Sequence, residues 1–167
     1  VEFAAKSGSL DRRFTPSPSG QEGIEGHQLV TGNRSSNYQT EVGLSITYGD
    51  ITFRGRADGY APTDHCIEEI KTFYGDVGRI PENHQQLHWV QAKCYGWMYC
   101  ETHGCDEIKI ALIYFNLTDE EEYRHEETWS AAELKEYCEA LAEKYCQWQA
   151  QIDQRVAQLN SWITQLQ

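Results

Sequence analysis

The chain has 167 residues, of which 40% are hydrophobic and 24% charged, a composition that suits one globular domain and excludes a disordered or collagen-like chain. No apolar run is long enough to span a bilayer, and the N-terminus lacks a charged-then-apolar leader, so the expectation is a cytoplasmic protein with no membrane partner. The formal net charge of −12 weighs against nucleic-acid binding by a simple basic surface.

Residues 1–19 are rich in Ser, Gly and Pro and read as a lead-in segment to a single domain over 20–167. Ser19 followed by Glu22 forms a capping box, which predicts a helix from about Gly20 that carries Ile24, His27 and Val30 and ends before about Thr40. In EVGLSITY, Val42, Leu44 and Ile46 alternate as in a half-buried strand. Gly49-Asp50 then turns the chain into a second strand, ITFRGRADGY. Pro62-Thr63-Asp64 makes another turn, and HCIEEIKTF is apolar enough for a central strand. Pro81 and Glu82 open a helix to about Thr102, with Gly104 as its C-terminal stop. IKIALIYF reads as a strand buried on both faces, and EEYRHEETW as a half-exposed one. Ser130 and Glu133 form a second capping box. The helix it starts carries the stripe Leu134, Tyr137, Leu141, Tyr145, Trp148 and Ile152 nearly to the end. The predicted fold class is α/β, with α+β character: a central mixed sheet flanked by helices.

The chemistry concentrates in the third strand. Glu69 and Lys71 are two residues apart and project from one strand face, whereas Glu68 points to the other. Asp58 lies near the end of the preceding strand, and a hairpin-like connection brings it beside Glu69. Two carboxylates with open coordination space suit Mg²⁺ or Mn²⁺. Such a site serves phosphodiester hydrolysis, and Lys71 would orient or deprotonate the attacking water or neutralise transition-state charge. Taken alone, Glu69-Ile70-Lys71 is an ordinary same-face ion pair, and Asp58 beside Gly59 an ordinary turn residue. Arg54 and Arg56 share the Asp58 face and are candidate DNA-phosphate contacts or charge balance.

The segments G-R-A-D-G-Y and E-I-K-T, followed by Gln91-Ala92-Lys93-Cys94-Tyr95 on the next helix and preceded by G-I-E-G-H with Gly23 and His27, resemble the RecB-like branch of the PD-(D/E)XK nuclease superfamily over roughly residues 20–115. The resemblance implies a restriction-endonuclease-like core. It also implies a metal shell of His27, Asp58, Glu69 and the carbonyl of Ile70, with Lys71 as catalytic lysine. Gln91 and Tyr95 would orient that lysine or touch DNA, although Tyr95 fits plain core equally well. The implied activity is Mg²⁺- or Mn²⁺-dependent DNA hydrolysis, exonucleolytic or at single-stranded ends. The opening segment resembles the nuclease modules of bacterial DinG/Rad3-type helicases, which implies a covalently linked helicase region and a role in DNA repair or processing. A Val start and a helix running to the end also suit an excised domain. Ala57 stands where the family often has Pro.

The cysteines Cys66, Cys94, Cys100, Cys105, Cys138 and Cys146 read as free buried thiols. Several RecB-like nucleases hold an iron–sulfur cluster on one early and three late cysteines; no Cys precedes His27 here and only Cys138 and Cys146 follow the last strand, so the resemblance implies no cluster. Two alternatives to the nuclease remain: a nuclease fold that no longer cuts and serves for docking, and a zinc-stabilised interaction domain on Cys94, Cys100, His103 and Cys105. His84 and His88, four residues apart on one helix face, lack the HExxH context of a zinc enzyme.

Overall fold

The computed structural model describes residues 17–165, with side chains up to residue 163, so most of the expected lead-in lies outside the described residues. Helix α1 (Gly20–Gly32) precedes strands β1 (Gln39–Tyr48), β2 (Ile51–Ala61) and β3 (Cys66–Phe73). Helix α2 (Glu82–His103), strands β4 (Glu107–Asn116) and β5 (Glu122–Ser130) and helix α3 (Ala131–Gln165) follow. The sheet order is β1-β2-β3-β4-β5, antiparallel except for the parallel pair β3–β4 that α2 connects. This is the expected mixed sheet with flanking helices, and β3 is its central strand.

Local chemistry sets the element ends. Ser19 accepts the N–H of Glu22, and Glu22 accepts the N–H of Ser19, closing the capping box of α1. The Ser130–Glu133 box does the same for α3. Gly49 (φ 56°) turns the β1–β2 hairpin and Gly104 (φ 68°) ends α2, both in the left-handed region that favours glycine.

One sheet face packs on α2 and α3 through Leu44, Ala57, Ile67, Ile110, Trp97, Met98 and Leu134. The other packs on α1, where Val30 meets Ile70, Ile113 and Phe115. Gly26 permits that approach: a Cβ there would lie 2.5 Å from Cγ2 of Thr72. The stripe expected on α3 is buried only in part. Leu134 is buried, Tyr137, Leu141, Trp148 and Ile152 are half-buried, and Tyr145 is exposed. The thiols are free as expected, though Cys146 is exposed and Cys105 half-buried.

Beneath α1 the sheet buries a charge. Glu68 is 2% exposed and accepts hydrogen bonds from Arg34 Nε (2.9 Å), Tyr38 Oη (2.9 Å) and Arg124. Arg34 also forks onto Glu122 of β5, at 2.8 and 3.1 Å. Burial pushes the Glu68 carboxyl up, but the arginine hydrogen bonds outweigh it and hold the group below the usual range. Removing one partner strands a buried charge, so Arg34→Ala should cost about 3 kcal/mol in chemical denaturation. Because the folded-state pKa of Glu68 is depressed, its contribution is present above the unfolded value and lost as pH falls through the folded one. The gap between wild type and Arg34→Ala should therefore narrow in acid below about pH 4.

Candidate active site

Strands β2 and β3 pair only at Gly59–Glu68, Tyr60–Ile67 and Ala61–Cys66, and beyond these they part. Asp58 stands at the fork. Its Oδ2 accepts the backbone N–H of Ile70 at 2.7 Å, giving that amide the partner the next ladder bond would have supplied. Its Oδ1 lies 3.4 Å from Nδ1 of His27, which α1 brings in. Burial raises the Asp58 pKa, against the pull of the Ile70 N–H, His27 and Lys71.

Glu69 and Lys71 lie on the α2 side of β3. Lys71 Nζ donates to Glu69 Oε1 at 2.5 Å and to Gln91 Oε1 at 3.2 Å, and Gln91 Nε2 donates to the Tyr95 hydroxyl at 3.1 Å. The spacing of four residues on α2 thus carries a chain of hydrogen bonds from Tyr95 to Lys71. Tyr95 sits over Gly55 of β2, where a Cβ would fall 2.6 Å from its ring. Lys93, between Gln91 and Tyr95, turns away to pack against Trp129 (4.3 Å to the ring centroid) and pairs with Glu127.

Glu69 is 1% exposed, and its Oε2 is buried without a hydrogen-bond partner among the described residues. Burial pushes its pKa up to about 7, although Lys71 pulls the other way and Asp58 adds to the rise. An orphaned carboxylate oxygen near Asp58, which itself faces His27, supplies the oxygen donors that a hard divalent cation such as Mg²⁺ or Mn²⁺ takes. His27, Asp58, Glu69 and the Ile70 carbonyl are the groups that could hold one. Among the described residues, no three His, Cys, Asp or Glu side chains are already gathered around one point. Lys71 serves Glu69 as its counter-cation instead.

Of the other candidates, Arg54 is exposed, and Arg56 pairs with Glu41 at 2.6 Å on the surface. Glu41 was not legible as a site neighbour: it has φ 57° and adds to the rise of the Asp58 pKa, and backbone strain leaves no mark in the sequence. His88 lies near Lys71, its Nδ1 3.0 Å from the Tyr114 hydroxyl, and burial, then Lys71 and His84, lower its pKa to about 4. The four proposed zinc ligands divide. Cys100 and Cys105 have Sγ atoms 2.8 Å apart, Cys94 faces Cys138 at 3.8 Å, and His103 bonds the Tyr99 carbonyl.

No protein-family model matches the chain, and no curated protein matches it. Among solved structures it is similar to the crystal structure of SSO0001, with 25% identity and a TM-score of 0.46, over 76% of this chain and 61% of that one. The chain thus spans less than two thirds of that protein's length.

Two outcomes follow from this geometry. In metal-free protein the folded pKa of Glu69 exceeds its unfolded value, so folding takes up a proton and stability falls as pH rises from about 4.5 to about 7. Thermal unfolding in EDTA should show this loss, of about 3 kcal/mol, in wild type and not in Glu69→Gln. Gly55→Ala should cost about 1–3 kcal/mol by displacing Tyr95, whereas Gly43→Ala, which meets open space, should be close to neutral. Equal effects at the two glycines would show that Tyr95 does not depend on that approach.

Proposed function

We propose that the chain is a Mg²⁺- or Mn²⁺-dependent nuclease of the PD-(D/E)XK type that hydrolyses phosphodiester bonds in DNA. The observation that carries this reading is the Oε2 of Glu69, buried beside Lys71 without a hydrogen-bond partner among the described residues and near enough to Asp58 for that carboxylate to raise its pKa. A purely structural ion pair would satisfy its buried oxygens, as Glu68 does one residue earlier.

His27, Asp58, Glu69 and the Ile70 carbonyl would hold the metal, which when bound lowers the pKa of a water and offsets charge on the phosphoryl oxygens. Asp58 is oriented for this by the Ile70 N–H. Lys71 would place its positive charge at the fork, where it positions the attacking water or faces the developing negative charge. Gln91 accepts from Lys71 and leaves its amide N–H on Tyr95, so these two residues fix where the ammonium sits. Burial raises the pKa of the Tyr95 phenol, so it remains a neutral donor. The acidic chain offers little basic surface for a DNA track, which favours a covalently linked partner, such as a helicase region, as the part that holds the strand.

The test is cleavage of labelled DNA with Mg²⁺, Mn²⁺ or EDTA. Wild type should cut only with a divalent ion, and Lys71→Ala and Asp58→Asn should each lower the rate about 100-fold or more. Cleavage that persists in both variants, or none with either metal at low salt, would overturn the assignment.

A further inference from the structure

A cleft of about 560 Å³ opens from Lys71 along the end of β3 towards the start of α2. That size lies within the ~300–1,000 Å³ of small-ligand sites. Its walls are apolar and preformed: Phe73 and Tyr114 are buried, and Ile80 is half-buried against them. Its rim carries Tyr74, Arg79 and His84, all exposed.

Tyr74 is held from the side. Its hydroxyl donates to Glu22 of α1 at 2.5 Å, the carboxylate that also caps that helix. A pinned ring loses little further freedom when a flat group stacks on it. Arg79 makes no ion pair among the described residues. The acid in the lining, Asp76, already has its Oδ1 on the Gly78 N–H at 2.8 Å. Lys71, at the other end of the slot, is paired with Glu69, so Arg79 is the cation at the slot left without an ion pair among the described residues. The combination of an apolar slot, a tethered aromatic ring and Arg79 matches an unpaired nucleotide rather than a duplex.

We infer that this cleft is a subsite for the nucleobase next to the scissile phosphate, stacked on Tyr74 within the wall of Phe73, Ile80 and Tyr114, with Arg79 on the adjoining phosphate. The subsite rests on the nuclease reading for its place beside the cutting centre, and it deepens that reading by selecting a single strand or a frayed end. A base inside a duplex reaches the slot only after unpairing and unstacking, which costs a few kcal/mol.

Binding separates the subsite from catalysis. Fluorescence anisotropy in EDTA at low salt, with a labelled oligothymidylate and a blunt hairpin duplex, should show tighter binding of the single strand. Tyr74→Ala should weaken that binding about tenfold, Arg79→Ala should weaken it also, and Tyr74→Phe should retain most of it because the ring remains. Circular dichroism of each variant checks that the fold is kept. Equal affinity for the two DNAs, no binding to either, or an unchanged Tyr74→Ala would overturn the subsite. Single-strand binding with the expected Tyr74 dependence but no Mn²⁺-dependent cleavage would sink the nuclease reading and leave the cleft standing as a base-stacking single-strand site alone.

Discussion

The site depends on the parting of β2 and β3 after three paired residues. A sheet interior tolerates an unpaired backbone amide poorly, so a strand that leaves its neighbour needs a substitute acceptor. Asp58 supplies it to Ile70. One carboxylate oxygen is thereby committed to structure, and the other is aimed into the opened space towards His27. The fork also lets residues from both sheet faces converge, because α1 reaches it from one side and α2 from the other. An unbroken β2–β3 ladder would keep His27 apart from Lys71 and Gln91.

Two consecutive residues of β3 then show opposite treatments of a buried charge. Glu68, facing α1, is surrounded by Arg34, Arg124 and Tyr38 and has its negative charge stabilised. Glu69, facing α2, has one lysine on one oxygen and nothing on the other. Desolvation penalises both carboxylates, and their protonation diverges because the cationic surroundings differ. The Glu68 cluster ties the segment after α1, β3 and β5 together, securing the central strand from the face opposite Glu69.

The sequence made the frame legible where local chemistry and periodicity agreed. Both capping boxes, the Gly104 stop, the alternation of β1 and the continuous apolar run of β4 each have a local cause, and each element stands where it was expected. The α3 stripe was less informative, since periodicity shows an apolar face and not how deeply each of its residues is covered. At the site, alternation placed Glu69 and Lys71 together and the four-residue spacing placed Gln91 with Tyr95. Contacts across long separations were not legible. Arg34 with Glu122, Glu22 with Tyr74 and Gly55 beneath Tyr95 join residues that no short-range pattern links. The positive φ of Glu41 falls opposite Asp58 in the β1–β2 ladder and has no residue signature.

The acidity of the chain and the chemistry of the fork belong together. A basic surface would bind DNA strongly along its whole length, with affinity set by phosphate neutralisation. Here the arginines and lysines are largely engaged: Arg34 and Arg124 on Glu68, Arg56 on Glu41, Lys109 on Glu126 and Lys93 on Glu127. A phosphate approaching the body of the protein therefore meets few uncompensated cations. Near the fork it meets Lys71, itself paired with Glu69, and along the cleft Arg79, which makes no ion pair among the described residues. On the proposed nuclease reading, such a domain would gain little from gripping DNA by itself and most from having a strand delivered to it by a linked partner.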